Sequence, residues 1–122
     1  MRALRASPKD MPVLVEQFVA VGNKAMAEQA AELWRFIPKA FKGYHAIPDP
    51  AEIQRRAKKE VPLDKVMESW PVGNDPKRHI EAIEKLFESG VTIVNIHVAQ
   101  NDQKTAIEFY GSKVLPHFQQ AA

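Results

Sequence analysis

Two segments of the chain are almost continuously apolar and rich in β-branched residues, which predicts two buried strands. Residues 12–21 read PVLVEQFVAV and residues 91–98 read VTIVNIHV. Apolar runs of this length are typical of parallel strands that are covered on both faces. Gly22 and Asn23 follow the first run, and Gly90 precedes the second. Both segments are therefore bounded by residues that favour turns.

The remaining apolar positions recur at helical spacing. They predict a helical insertion over residues 24–69, a helix over 76–89 and a C-terminal helix over 102–119. Within these ranges Asp49 and Asp75 are each followed by proline. An aspartate cap with proline at the first helical position is a strong signal for a helix start.

The order of elements is strand, helices, strand, helix, which predicts parallel pairing through a right-handed crossover. Two strands make a poor sheet, since isolated two-stranded units are marginal and both edges stay unpaired. The 122-residue chain is therefore expected to be one partial α/β domain. It would belong to a larger sheet or barrel, or to a protomer that assembles one.

The second predicted strand alternates between two kinds of side chain. One face is aliphatic, and the other carries Ile93, Asn95 and His97. In a barrel the aliphatic face would meet the helices, and His97 would point inward near the carboxyl end of its strand, where active sites lie. Asn95 and His97 would then contact a substrate or cofactor. The other interpretation is a satisfied, partly buried histidine in a polar layer of the barrel.

Four further residues are candidates for a substrate pocket. Glu16 and Gln17 interrupt the first strand, so one of them faces inward, and an inward carboxylate needs a partner. A structural polar contact is the expected role of that residue, with catalysis as the alternative. Trp70 and Tyr44 lie in irregular chain, where pocket lining is plausible. The spacing of Trp34 places it in helix packing.

The charge pattern gives little support for a polyanionic partner. The 17 basic and 15 acidic residues leave a net charge of +2, so we expect no nucleic acid and no membrane. The run QRRAKKE at residues 54–60 could form an anion patch. Its i, i+4 pairs with Glu52 and Glu60 instead favour a solvated helix face.

Cysteine is absent, which excludes disulfides and thiolate metal ligands and permits a reducing cytoplasm, the expected location. The four histidines lack metal-ligand spacing, so no metal site is predicted. Neither a membrane span nor a secretory signal is expected, because the longest apolar window is short and contains Glu16 and Gln17.

Several segments in order resemble one known family. AAELWRFIPKAF, IPDPAEIQRRAKKEVPLDKV, SWPVGNDPKRHIEAIEKLFESGVTIVNIH and NDQKTAIEFYGSKVLPHF are similar to the C-terminal part of luciferase-like oxidoreductases. Within them, the resemblance is to the deazaflavin-dependent branch related to glucose-6-phosphate dehydrogenases. It extends from about Met11 to Phe118.

This resemblance implies a (β/α)8 TIM barrel, of which the chain supplies the last two strands and their helices. It implies coenzyme F-420, a deazaflavin, rather than FMN. The family's catalytic residues lie on earlier strands, so none is expected here. The expected partners are a small-molecule substrate and either the missing barrel portion or further copies of the chain.

The resemblance also bears on the substrate. Sugar-phosphate members of the family hold the phosphate with basic residues, but the matching positions here are Ser69 and Tyr44. A substrate phosphate would therefore lack charge-assisted ligands, and an alcohol-type substrate is expected instead. The alternative is a non-catalytic module that completes a barrel with another chain or with copies of itself. The candidate pocket residues are His97, Asn95, Trp70, Tyr44, Glu16 and Gln17.

Overall fold

The computed structural model describes residues 11–37 and 43–120 of the chain. Its regular elements, in chain order, are β1 (Leu14–Val19), α1 (Lys24–Leu33), a 3-10 turn (Tyr44–Ala46), α2 (Pro50–Glu60), α3 (Leu63–Glu68), α4 (Pro76–Glu88), β2 (Ile93–Val98), α5 (Gln103–Phe109), a π-helical turn (Tyr110–Val114) and α6 (Leu115–Gln120). Both strands are shorter than the apolar runs that predicted them. None of the helices in these ranges has the length and hydropathy needed to cross a bilayer.

The two strands pair in parallel, in a register that runs from Leu14 opposite Ile93 to Val19 opposite Val98. A short bridge between Ala20 and Val72 extends the sheet on the other side of the first strand. There the Ala20 amide donates to the Pro71 carbonyl at 3.1 Å. The carboxyl end of β1 is thus paired on both sides, which the sequence pattern did not predict.

One face of the sheet packs against helices. Val94, Ile96 and Val98 contact a buried cluster that includes Ile83 of α4 and Tyr110. This confirms the prediction that the aliphatic face of the second strand meets the helix layer. The opposite face is consequently the one available for a site.

A second apolar cluster joins the helical insertion to the carboxyl ends of the strands. It contains Ala30 and Ala31 of α1, Ala57 of α2, Val66 of α3 and the ring of Trp70. Alanine at these positions lets helix backbones approach closely, so the insertion packs against the end of the sheet. The insertion therefore forms one wall of the region where the strands end.

The aspartates predicted to cap helices do so. Asp49 accepts a hydrogen bond from the Ala51 amide, and Asp75 accepts one from the Lys77 amide, both at 3.0 Å. These bonds satisfy amides that a helix leaves without partners in its first turn. The sequence signal and the observed start agree at both helices.

The C-terminal segment is not the uniform helix expected over 102–119. It contains a π-helical turn at Tyr110–Val114, in which the Leu115 amide bonds back to the Tyr110 carbonyl. Pro116 explains this feature, because it has no amide hydrogen and its ring would clash with the carbonyl four residues earlier. The bulge widens the turn in front of the proline and lets the helix continue.

Candidate functional site

The face of the sheet opposite the helices is open over its first half. Its side chains pair across the strands as Leu14 with Ile93, Glu16 with Asn95, and Phe18 with His97. Leu14 is 61% exposed and Ile93 is 48% exposed. Two large apolar side chains this exposed, beside each other on a parallel sheet, indicate a surface that another part of a protein covers.

Glu16 and His97 form the central polar contact of this face. Glu16 Oε1 lies 2.5 Å from His97 Nδ1, diagonally across the two strands. Since a carboxylate accepts, Nδ1 carries the hydrogen and donates. The other ring nitrogen, Nε2, has no partner among the described residues. Glu16 is thus the inward-facing member of the Glu16–Gln17 pair, and His97 is the partner that its carboxylate needs.

Aromatic side chains hold the imidazole on two sides. Phe18 stacks on His97 with ring centroids 4.2 Å apart and planes inclined by 26°. Trp34 meets the same ring edge-on, at 4.8 Å and 82°. The Trp34 indole is itself fixed, since Nε1 donates to the Ala99 carbonyl at 3.0 Å. The orientation of His97 is therefore set by packing as well as by the Glu16 hydrogen bond.

A cleft of about 510 Å³ opens beside this histidine at the carboxyl end of β2. Its apolar wall includes Leu33, Trp34 and Phe36, and its polar wall includes His97 and three amide side chains. The residues that line it include no lysine, arginine or carboxylate. Its chemistry thus suits a neutral, partly apolar molecule with an oxygen or nitrogen that can hydrogen-bond.

Gln100, one of those amide side chains, anchors the strand ends that carry the cleft. Its side chain is buried, accepts from the Val21 amide at 2.5 Å and donates to the Val21 carbonyl at 2.6 Å. The amide therefore replaces a backbone pair and continues the ladder beyond Val98. It keeps both strands in register where Trp34 and His97 meet the cleft.

The remaining candidate residues lie in different places. Asn95 is exposed on the open face beside Glu16. Trp70 is only 6% exposed and stacks beneath Phe18 at 5.4 Å. Gln17 lies on the helix side of the sheet, opposite Ile96, and donates to the Phe18 carbonyl. Tyr44 belongs to the 3-10 turn, and the position of its side chain lies outside the described residues.

Trp34 packs against the apolar cluster of the helical insertion, as its helical spacing predicts, and it also lines the cleft. Helix α1 ends at Leu33, and Trp34 is the residue that caps it. The turn that follows brings the indole toward β2. An aromatic pair at the end of a helix, here Trp34 and Phe36, was the signal available in the sequence.

His79, for which the sequence pattern predicts no role, is fully buried. Its Nε2 lies 3.0 Å from the Gly73 carbonyl and its Nδ1 lies 2.7 Å from the Tyr110 hydroxyl. A carbonyl only accepts, so Nε2 carries the hydrogen and Nδ1 accepts from Tyr110. Burial lowers the pKa of His79 and raises that of Tyr110. This pair is a neutral structural link between α4, the loop at Gly73 and the π-helical turn.

Comparisons with known proteins identify relatives of one kind, although no family model matches the chain. The F420-dependent hydroxymycolic acid dehydrogenase of Mycobacterium tuberculosis is 38% identical over 115 residues, which are 94% of this chain and 30% of that protein. The F420-dependent glucose-6-phosphate dehydrogenase of Nakamurella multipartita is 27% identical over 108 residues, which are 88% of this chain and 32% of that protein. The chain thus spans about a third of the length of these relatives.

The fold agrees with this relationship. An F420-dependent secondary alcohol dehydrogenase, solved in complex with an F420-acetone adduct, superposes with a TM-score of 0.70 at 22% identity. The match covers 88% of this chain and 33% of that protein. The likeness confirms the predicted fold, a partial TIM barrel of two parallel strands and their helices. By sequence, the chain is homologous to the C-terminal part of the F420-dependent dehydrogenases.

Proposed function

We propose that the chain is the C-terminal part of a luciferase-like, F420-dependent oxidoreductase that transfers hydride between an alcohol-type substrate and the deazaflavin. The observation that carries the proposal is the Glu16–His97 pair, which meets an aromatic cleft at the carboxyl end of adjacent parallel strands. Substrates of TIM-barrel enzymes bind at that end. Relatives named for F420 dependence support the hydride carrier.

In the completed barrel the chain's residues bind and orient the substrate. With Nδ1 tied to Glu16, His97 presents Nε2 to an oxygen of the substrate. Phe18 and Trp34 prevent the imidazole from turning away, and Asn95 offers a second polar group on the same face. The groups that accept the substrate proton lie, in this proposal, in the part of the barrel that the chain does not span.

The described residues fit a planar cofactor at one side of the cleft. The open face of the sheet and the aromatic wall of Trp34 and Phe36 leave a surface on which a flat ring can pack. When bound, the deazaflavin supplies the hydride acceptor or donor. The names of the relatives support this cofactor over FMN. A cytoplasmic location remains the expectation drawn from the sequence.

The lining of the cleft supports an alcohol over a sugar phosphate. Lysine and arginine are absent from the residues that line it, and Ser69 stands before Trp70. A phosphate bound there would have no charge-assisted partner. Two of the similar proteins are named for other alcohols, hydroxymycolic acid and a secondary alcohol.

A fluorescence titration of the isolated chain with F420 tests whether the cofactor site lies in this chain or in the missing part of the barrel. We expect no saturable binding below about 100 μM, a free energy of roughly −5.5 kcal/mol, because the cofactor would bind mainly to the missing strands. Binding at low micromolar concentration would show that this chain carries the cofactor site itself.

The alternative function is a non-catalytic module that completes a barrel with another chain or with its own copies. The exposed pair Leu14 and Ile93 favours this alternative, because both would be covered on assembly. Light scattering of the purified chain discriminates between the two functions. A stable dimer or larger assembly supports the module, and a well-folded monomer counts against self-assembly.

A further inference from the structure

A second cleft lies beside the turn that carries Trp34. It has a volume of about 470 Å³ and lies between the end of α1 and α2. Leu33 and Phe36 line both this cleft and the one beside His97. The two clefts are thus neighbours that share one apolar wall.

Unlike the cleft beside His97, the second cleft is basic. Arg35, Arg55 and Lys58 line it, above an apolar floor that includes Ala51 and Ala57. Arg55 and Lys58 belong to the QRRAKKE run, three residues apart on one helix face. The run is solvated, as the sequence pattern favoured, because Arg55 and Lys58 are both 72% exposed. These two members also line the mouth of the second cleft.

The cations of this cleft are incompletely neutralised. Arg35 bonds Glu32 at 2.8 Å and the Val61 carbonyl at 2.6 Å, and Lys58 lies 3.9 Å from the same Glu32. Arg55 pairs with Glu52. Three cations face two carboxylates, which leaves one positive charge for a ligand. The pairs of Arg55 and Lys58 are exposed, and ion pairs of this kind are weak enough for a ligand to replace.

We propose that the two clefts hold one elongated ligand, an aliphatic carboxylate. Its anionic end lies among Arg35, Arg55 and Lys58, and its chain follows Leu33 and Phe36 toward Trp34 and His97. A single carboxylate matches the one unbalanced charge, and an alkyl chain matches the shared apolar wall. That the group beside His97 is the one oxidised rests on the proposed function, whereas the binding itself does not.

Tryptophan fluorescence can report this binding at the cleft beside His97, away from the anionic end of the ligand. The chain has two tryptophans, and Trp34 lines the His97 cleft but not the basic one. With Trp70→Phe, Trp34 becomes the only reporter. Dodecanoate below its micellar concentration should change this fluorescence saturably, whereas acetate, which is too short to span, should not. Dodecanol should bind several-fold more weakly than dodecanoate.

Two double variants on one helix distinguish binding at a specific site from a general effect of positive charge. Arg55→Gln with Lys58→Gln should weaken dodecanoate binding about five- to tenfold and leave dodecanol binding unchanged. Arg56→Gln with Lys59→Gln removes the same charge from residues that do not line the cleft, and should change binding less than about twofold. Circular dichroism of each variant verifies that the helix is intact.

Three results would overturn this inference. They are equal loss in both double variants, equal binding of dodecanol and dodecanoate, and no Trp34 response to dodecanoate. The assay needs no cofactor, so it stands apart from the proposed function. If the chain bound dodecanoate but did not complete an F420-dependent enzyme, the proposed function would be wrong and the two-cleft binding site would still stand.

Discussion

The imidazole of His97 is held by two side chains from a single neighbouring strand. Glu16 accepts its Nδ1 hydrogen at 2.5 Å, and Phe18, its direct register partner, stacks on the ring at 4.2 Å. Residues two apart on a strand share a face, so β1 fixes both the tautomer and the plane of the ring. His97, which lines the cleft, is thereby preorganised.

Replacing Glu16 with glutamine should remove the preference of His97 for the tautomer with hydrogen on Nδ1, without unfolding the chain. Both side chains are partly exposed, so we expect the free energy of unfolding to change by less than about 1 kcal/mol. Long-range ¹H–¹⁵N NMR spectra should show His97 gaining the tautomer with hydrogen on Nε2. Glu84→Gln is the matched control, because Glu84 bonds His117 at 2.7 Å elsewhere on the surface. If Glu84→Gln altered the His97 signals as much as Glu16→Gln does, the Glu16 contact would not set the tautomer.

Phe18 should contribute more stability than any exposed residue of the open face. It packs against Trp34, Trp70 and His97, so Phe18→Ala should lower the free energy of unfolding by about 2–3 kcal/mol in urea titrations. Leu14→Ala on the same face should cost about 0.5 kcal/mol or less, because Leu14 is mostly exposed. Equal losses would mean that Leu14 is covered in the isolated chain, as it would be in an oligomer.

Acid should destabilise the chain through His79. Burial lowers the pKa of this histidine in the folded state, while the unfolded value is about 6.5. Above that value neither state is protonated, and its contribution to stability is fully present. As the pH falls below it, the unfolded state binds a proton that the folded state refuses, and stability is lost by up to about 1.4 kcal/mol per pH unit. Arg78 lowers the pKa further, and Asp75 and the Gly73 carbonyl partly oppose burial.

His79→Gln isolates this contribution, since glutamine keeps a donor for Gly73 and an acceptor for Tyr110. Urea unfolding at pH 7 and pH 5 should show that the free energy of unfolding falls more for the unmodified chain than for the variant. Parallel losses would assign the acid sensitivity to other groups.

Gln100 should be among the costliest polar residues to truncate. Gln100→Ala leaves both the amide and the carbonyl of Val21 buried without their partner, which should cost about 2–4 kcal/mol. Hydrogen exchange should show the Val21 amide losing protection. Gln119→Ala, on an exposed position, is the control and should change stability by about 0.5 kcal/mol or less. Unchanged protection of Val21 would show that water replaces the side chain at no cost.

The alternation of the second strand was enough to predict the two faces of the sheet. It placed Asn95 and His97 together, opposite the aliphatic side chains that meet the helices. The diagonal contact of His97 with Glu16 could not be predicted from the pattern. A shift of one residue in the register would have placed Gln17, and not Glu16, on the face that carries His97. Register depends on tertiary packing, here including the Gln100 bonds at the strand ends.

The aromatic residues show a different limit of sequence reasoning. Trp70 lies in irregular chain, which predicts pocket lining; it packs against Phe18 and is not among the residues that line the cleft beside His97. Trp34 packs as its spacing predicts, but it also borders the cleft, because α1 ends at Leu33 and Trp34 lies in the turn that follows. The position of a helix end decides where the side chains after it point, and sequence patterns do not fix helix ends to within one or two residues.

The central claim, that His97 contacts the substrate, is tested most directly in a chimera. This chain would replace the aligned 30% of the M. tuberculosis F420-dependent hydroxymycolic acid dehydrogenase. His97→Asn in the chimera should lower kcat/KM for the alcohol at least about tenfold, a loss of roughly 1.4 kcal/mol in transition-state stabilisation. The Kd for F420, from fluorescence, should stay within about twofold. A large loss of F420 affinity with unchanged kcat/KM for the alcohol would contradict the account.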